Sequence, residues 1–136
     1  MDTLSRERRS WNMSRIRGKN TGPERAVRSA LHRMGYRFRL HCSGLPGKPD
    51  IVLRKYNTVI FVHGCFWHRH AACRLAYTPK SRRRFWKQKF ERNIQRDREV
   101  ARTLAALGWR VRVIWECETE SDTLLSRRLR SALGSK

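Results

Sequence analysis

Apolar positions along this chain change their period repeatedly, and each change marks an element. Val27, Ala30, Leu31 and Met34 recur at intervals of three and four, the spacing of one helix face. Thr21-Gly-Pro-Glu24 ahead of them has the form of a capping box with Pro in the first turn, and Gly35 is the C-cap. This reading gives Glu24 a capping role. Tyr36 to Leu40 alternates apolar residues with Arg, which predicts a half-buried strand. Gly44-Leu-Pro-Gly-Lys-Pro-Asp50 follows, a loop whose glycines and prolines fix its path. It delivers Asp50 to the start of a strand, Ile51-Val52-Leu53. Tyr56-Asn57 predicts a hairpin turn into Thr58–Val62, which is uncharged and largely β-branched or aromatic, as a strand buried on both faces requires. After a loop at Ala76–Lys80, Ser81 is the expected N-cap of a long helix to about Leu107. Its apolar side is marked by Phe85, Trp86, Phe90, Ile94, Val100, Leu104 and Leu107, and Gly108 stops it. Trp109–Trp115 predicts a strand and Asp122–Leu133 a last amphipathic helix. Strands alternate with helices around one hairpin. The expected class is α/β with a mixed sheet, in one domain, because 136 residues bury a single core.

Charge changes this picture. Thirty-two Lys and Arg oppose 11 Asp and Glu, a net +21, and the excess recurs along the whole chain. Self-repulsion on that scale points to a polyanionic partner. Residues 1–20 read as a basic arm or helix with Trp11, Met13 and Ile16 interleaved, suited to lie on phosphates. The alternative for this stretch is a solvated terminus. No apolar run approaches the roughly 20 residues of a membrane span, and Met1–Ser10 has no secretory apolar region. The expectation is a cytosolic protein with reduced cysteines and no membrane partner.

The strand Thr58–Val62 runs directly into His63-Gly-Cys-Phe-Trp-His-Arg-His-Ala-Ala-Cys73. Cys65, His70 and Cys73 are spaced C-x4-H-x2-C, and Cys117 follows an apolar strand. Together they make a Cys3His set of the kind that holds a structural zinc ion. The bland alternative is separately buried thiols, and that is the reading for the leftover Cys42. Asp50 is one hairpin away from His63 and His68. A carboxylate and two imidazoles suit phosphodiester hydrolysis, with Asp50 as a hard ligand for Mg2+ and the histidines for proton transfer and phosphate contact. Asp50 as a turn-capping residue is the alternative. The strand beside it carries no further carboxylate or lysine, so a second protein ligand would be a main-chain carbonyl, such as that of Val62.

At this point the chain resembles the very short patch repair endonucleases. Residues 46–50 (PGKPD), 61–70 (FVHGCFWHRH), 85–89 (FWKQK), Asn93, Arg96-Asp97, 108–117 (GWRVRVIWEC) and 12–21 (NMSRIRGKNT) carry the likeness, over nearly the whole length. The resemblance implies a restriction-endonuclease-like domain over 21–136 with a structural zinc site, preceded by the DNA-contacting arm. It implies a bacterial, cytoplasmic, nucleoid-associated enzyme that nicks one strand 5′ of the thymine in a T:G mismatch, using Mg2+. Such mismatches arise by deamination of 5-methylcytosine. It also implies that Asp50 and the Val62 carbonyl hold Mg2+, that His68 is the general base, that His63 contacts the scissile phosphate, and that Asp97 supports the site. Zinc falls on Cys65, His70, Cys73 and Cys117, the set already reached from spacing.

Phe66 and Trp67 read as two large exposed aromatics beside the metal loop. The resemblance suggests that they wedge with Trp86 into the base stack at the mismatch, where stacking returns roughly 1–3 kcal/mol per base. Packing in the core of the zinc loop is the alternative. Lys89 and Asn93, four apart on the long helix, are candidates to read base edges. A phosphate contact is an equal reading for Lys89. The expected partner is double-stranded DNA with a T:G mismatch, bound by a monomer, with mismatch-repair proteins and a DNA polymerase downstream. The rival readings are a less specific nuclease or nickase, and a zinc-stabilised DNA-binding module without catalysis.

Overall fold

The computed structural model describes residues 22–42 and 44–134. The segment read as a basic arm and Thr21 of the predicted capping box lie outside them. Helix α1 (Gly22–Arg33) is followed by β1 (Arg39–Leu40), β2 (Ile51–Leu53), β3 (Thr58–His63), α2 (Cys65–His68), α3 (Arg83–Ala106), β4 (Arg110–Trp115) and α4 (Asp122–Leu133). The strands form one mixed sheet in the order β1-β2-β3-β4. The first two pairings are antiparallel, and β3 and β4 are parallel from Thr58↔Arg110 to His63↔Trp115. Parallel strands need a long crossover, and α3 supplies it.

The two-residue period of the strands assigns the faces. Ile51, Leu53, Ile60 and Ile114 point to one side, where Val27, Ala30 and Leu31 of α1 and Leu125, Leu129 and Ala132 of α4 cover them. Val52 and Val59 point to the other, against Leu104 and Val100 of α3 and beside Val111 and Trp109. Cys42 packs partly buried against that second cluster, the small apolar role read for it. Helices therefore lie on both faces of a sheet whose central strand β3 is buried, as its uncharged sequence requires. Arg112 sits in register beside Ile60, and its Nε donates 2.7 Å to the carbonyl of Ala132 near the end of α4. An orphaned helix carbonyl and a partly buried guanidinium thereby satisfy each other.

Two local expectations need correction. The strand expected over Tyr36–Leu40 shrinks to Arg39–Leu40, because β2 offers partners only at Val52 and Ile51 for these residues. Beyond Leu53 that chain turns into a 3-10 segment, Arg54–Tyr56. Tyr36 instead turns inward, buried edge-on to Tyr56 at 5.3 Å. Ser81 does not cap α3. The helix starts after Arg82, which adopts a left-handed conformation (φ 54°) with its guanidinium 4.4 Å from the Phe85 ring. Glu24 is 7% exposed, with one carboxylate oxygen 3.0 Å from His41 Nε2, while Thr21, its partner in the predicted capping box, lies outside the described residues. The predicted hairpin is present. Asn57 takes the left-handed position in its turn (φ 49°), where Asn costs less than other non-glycine residues. Among the described residues no helix is long and apolar enough to cross a membrane.

Candidate active site and metal centre

Asp50 precedes antiparallel β2, while His63 and Trp115 end the parallel pair, so the sheet brings all three to one edge. The loop that carries Asp50 is pressed onto α3. At Gly47 (φ 74°) an added Cβ would lie 2.4 Å from a methyl carbon of Val100, so both the backbone and the space demand glycine. The edge opens into a cleft of about 1270 Å³, walled by the start of α1, this loop, the end of β3 and the inner face of α3. Asp50, Val62, His63, His68, Asp97, Trp67, Lys89 and Asn93, all singled out in the sequence, line it.

The Asp50 Oδ2 accepts a 2.7 Å hydrogen bond from the Val62 amide. Burial lifts its carboxyl to about 6, the Val62 bond opposes the rise, and the neighbouring Glu24 carboxylate adds to it. Across the cleft the His68 ring nitrogen Nδ1 lies 2.6 Å from Asp97 Oδ2. A carboxylate only accepts, so Nδ1 carries the proton, and the tautomer this fixes in the neutral ring has its lone pair on Nε2. His68 stacks on His63 with ring centroids 3.8 Å apart and planes within 8°. His63 is buried, and Trp115 meets it edge-on at 5.3 Å. Burial, and then the adjacent His68, hold His63 down to about 3. It is a neutral imidazole throughout the physiological range.

That depression sets an acid liability. A base whose folded value lies below its unfolded one contributes stability that is complete above about 6.5 and is lost as pH falls toward about 3. At pH 5 the loss is about 2 kcal/mol relative to neutral pH. Asp50 acts in the opposite sense, because its raised value favours the fold at low pH and withdraws that support as pH rises through about 6. Thermal unfolding midpoints of wild type and His63→Asn between pH 7.5 and 5 isolate the histidine. The variant is expected to show a markedly shallower decline; parallel curves would show that His63 is not held neutral.

The second cluster is cysteine-rich. The side-chain donor atoms of Cys65, His70, Cys73 and Cys117 all lie within 4.8 Å of one another. His70 Nδ1 is 3.6 Å from Cys65 Sγ and 3.4 Å from Cys117 Sγ. The cysteines are unbridged, and burial pushes the Cys65 thiol up to about 12, a cost that a bound cation would reverse. The set can hold a metal ion. It also touches the acid-base site: the His70 ring stacks on Trp115 at 4.3 Å, and Trp115 in turn packs on His63. Glu116, between Trp115 and Cys117, accepts a hydrogen bond from the Cys65 amide at 3.3 Å.

The aromatics differ from expectation. Trp67 is 8% exposed, and Phe66 and Trp86 are half-buried rather than projecting. Phe66 packs edge-on to Trp67, Trp86 and Phe90 at 5.1–5.4 Å, and the Arg69 guanidinium covers Phe90 at 4.1 Å. Large aromatics on the short helix α2 and on α3 satisfy one another before solvent. Asn93 Nδ2 donates to the Trp67 carbonyl at 3.0 Å, so half of this amide holds the aromatic helix in place.

Sequence reasoning missed a partnership. Glu24 Oε2 and His41 Nε2 are 3.0 Å apart, and the donor atoms of Glu24, His41 and Asp50 lie within 4.8 Å of one another. Glu24 had a sufficient local explanation as a cap. The available signal was scarcity, because 11 acids in a +21 chain make each one worth a second reading.

The sequence profile described as DNA mismatch endonuclease Vsr matches residues 1–74. The chain is 54% identical to the type II nicking enzyme V.XorIIP of Xanthomonas oryzae pv. oryzae, across 97% of this chain and 96% of that one. It is 41% identical to the type II nicking enzyme V.NmeAIP of Neisseria meningitidis, across 94% and 91%. It is also 41% identical to the DNA mismatch endonuclease Vsr of Escherichia coli, across 94% and 85%. An acid-base cleft in a strongly basic protein and likeness of this extent lead to one conclusion: the chain belongs to the Vsr family of DNA mismatch endonucleases and is an endodeoxyribonuclease.

Proposed function

We propose that this enzyme nicks one strand of duplex DNA on the 5′ side of the thymine in a T:G mismatch, with Mg2+ in the cleft and zinc in the cysteine cluster. The observation that carries the reading is the His68–Asp97 pair stacked on a neutral His63, in the same cleft as the partly buried carboxylate of Asp50. Helices on both faces of a sheet that runs from a hairpin into a parallel pair support a restriction-endonuclease-like core for residues 21–136. The enzyme acts as a cytoplasmic, nucleoid-associated monomer, since nicking one strand needs one site. Mismatch-repair proteins and a DNA polymerase act after it. Residues 1–20 serve as a basic DNA-contacting arm.

The residues present fit both ions. Asp50 is a partly buried carboxylate beside a second one, Glu24, an arrangement that a divalent cation relieves. Asp50 and the main-chain carbonyl of Val62 offer the oxygen ligands that Mg2+ takes. Bound there, Mg2+ supplies charge stabilisation at the scissile phosphate and acidifies water. A tetrahedral zinc ion spaces its nitrogen and sulfur ligands about 3.5 Å apart, and the His70–Cys65 and His70–Cys117 distances of 3.6 and 3.4 Å fit that. With four protein ligands the zinc site is closed and structural.

The side chains divide the remaining work. His68 Nε2 takes the proton of the attacking water, and Asp97 holds the ring in the required tautomer and stabilises the imidazolium that forms. His63, unable to charge, donates one N–H to the scissile phosphate. Lys89, whose Nζ lies 5.9 Å from the centroid of the Trp67 ring, and the free end of the Asn93 amide meet the DNA at the aromatic helix. Phe66, Trp67 and Trp86 form a wedge that opens the stack at the mismatch, where a weak pair costs less to separate. Their mutual packing keeps that apolar surface out of water until DNA binds.

Trp67→Ala is therefore expected to reduce the preference for T:G over T:A duplexes about tenfold or more, with a smaller effect on total duplex affinity. Paired binding isotherms check this. An equal loss on both duplexes would assign Trp67 to packing alone.

A further inference from the structure

The group formed by Glu24, His41 and Asp50 is more than a pair of carboxylates. His41 lies just past β1 in the left-handed conformation (φ 45°), a strained position for a side chain of this kind. Its backbone amide donates to the Asp50 carbonyl at 3.1 Å, which ties the imidazole to the chain that carries the carboxylate. The ring itself is largely buried, 3.0 Å from Glu24. Adjacent ligands in an octahedral shell stand about 3.0 Å apart when metal–ligand distances are near 2.1 Å. The His41 Nε2–Glu24 Oε2 pair already has that separation, with an Asp50 oxygen within 4.8 Å. A proton now bridges two atoms spaced as a cation would space them.

We propose that His41 is an ion-selecting residue, which makes the cation site at Asp50 a mixed oxygen–nitrogen site that holds Mn2+ more tightly than Mg2+. The inference rests on the reading of Asp50 as a cation ligand. Its chemical basis is donor softness. Oxygen-only sites hold Mg2+ well, whereas an imidazole nitrogen favours first-row transition ions over Mg2+. A His41 that merely orients Glu24 would leave the ratio of the two affinities unchanged.

The test uses the full-length, zinc-loaded protein and measures binding rather than turnover. Mn2+ is titrated by the electron paramagnetic resonance of the free ion, Mg2+ by competition, and nitrogen coordination by electron spin echo modulation. Wild type is expected to bind Mn2+ with a 14N coupling. His41→Gln, which can still hydrogen-bond Glu24, is expected to weaken Mn2+ at least tenfold and Mg2+ less than threefold, with loss of that coupling. A His41→Gln protein with the wild-type ratio and coupling overturns the proposal while Asp50→Asn still abolishes binding. Undisturbed Mn2+ binding in Asp50→Asn removes instead the reading of Asp50. Glu24→Gln leaves the imidazole in place and is expected to keep the nitrogen coupling while weakening Mn2+. It carries the test if the His41 variant does not fold, and absence of nitrogen coupling in both it and wild type overturns the inference.

Discussion

Asp50→Asn is expected to lower the single-turnover nicking rate by at least about 10³-fold while mismatched-duplex affinity changes by less than about threefold. Such a rate loss corresponds to about 4 kcal/mol of transition-state stabilisation, within the several kcal/mol that a positioned divalent ion contributes to a phosphoryl centre. The substitution is nearly isosteric, and the Asn carbonyl oxygen can still accept the Val62 amide hydrogen bond that Asp50 Oδ2 accepts at 2.7 Å. The fold should not suffer. Burial holds Asp50 up to about 6, so in the metal-free protein its ionised form opposes folding above that pH. A neutral amide lifts that penalty, and the thermal midpoint of metal-free Asp50→Asn at pH 7.5 should equal or exceed that of wild type. Binding depends mainly on Lys and Arg contacts to phosphate, which the change does not touch. Loss of binding in step with loss of rate would place Asp50 in the DNA interface. A rate within tenfold of wild type would remove it from the reaction.

Disrupting the cysteine cluster should be nearly as damaging, through stability. Cys117→Ser removes the ligand that ties the end of β4 to the loop after β3. Structural zinc contributes folding energy on the order of 10 kcal/mol at neutral pH, and one lost thiolate forfeits a large part of it. Even about 3 kcal/mol corresponds to a fall of about 10 °C in the unfolding midpoint of a domain this size. Activity should fall with it, because His70 stacks on Trp115 and Trp115 walls His63. Metal analysis is expected to give one zinc per wild-type chain and substoichiometric zinc in the variant. Strong chelation of the wild type should reproduce the lowered midpoint. A variant without zinc that melts with the wild type would show the cluster to be four independently packed side chains.

These effects were legible to different degrees. The Cys65, His70 and Cys73 spacing is local, and Cys117 announces itself at the end of an apolar strand, so the cluster could be assembled on paper. Asp50 and His63 stood out because the turn-rich loop and the hairpin place them at one sheet edge by register alone. The hydrogen bond between His41 and Glu24 was missed, since it spans 17 residues and the capping box gave Glu24 an adequate local explanation. The burial of Trp67 was missed for a related reason. Its partner Trp86 comes from α3, and only the fold of the crossover brings that helix over α2. Ser81 shows the limit of capping signals: the Arg82 guanidinium on the Phe85 ring accompanies a helix start one residue later than a Ser81 cap would set, without a side-chain cap. Periodicity finds elements, but the polar atoms between them are allocated by tertiary contacts.

The central claim is mismatch-directed nicking of one strand, and paired cleavage reactions test it most directly. Two end-labelled duplexes, identical except for T:G or C:G at one position in a CC(A/T)GG context, are incubated with the zinc-loaded enzyme and Mg2+. The expected result is a single nick 5′ of the mismatched thymine, confined to its strand and absent from the C:G duplex and from reactions without a divalent ion. Equal cutting of both duplexes, or cutting without a divalent ion, would contradict the account.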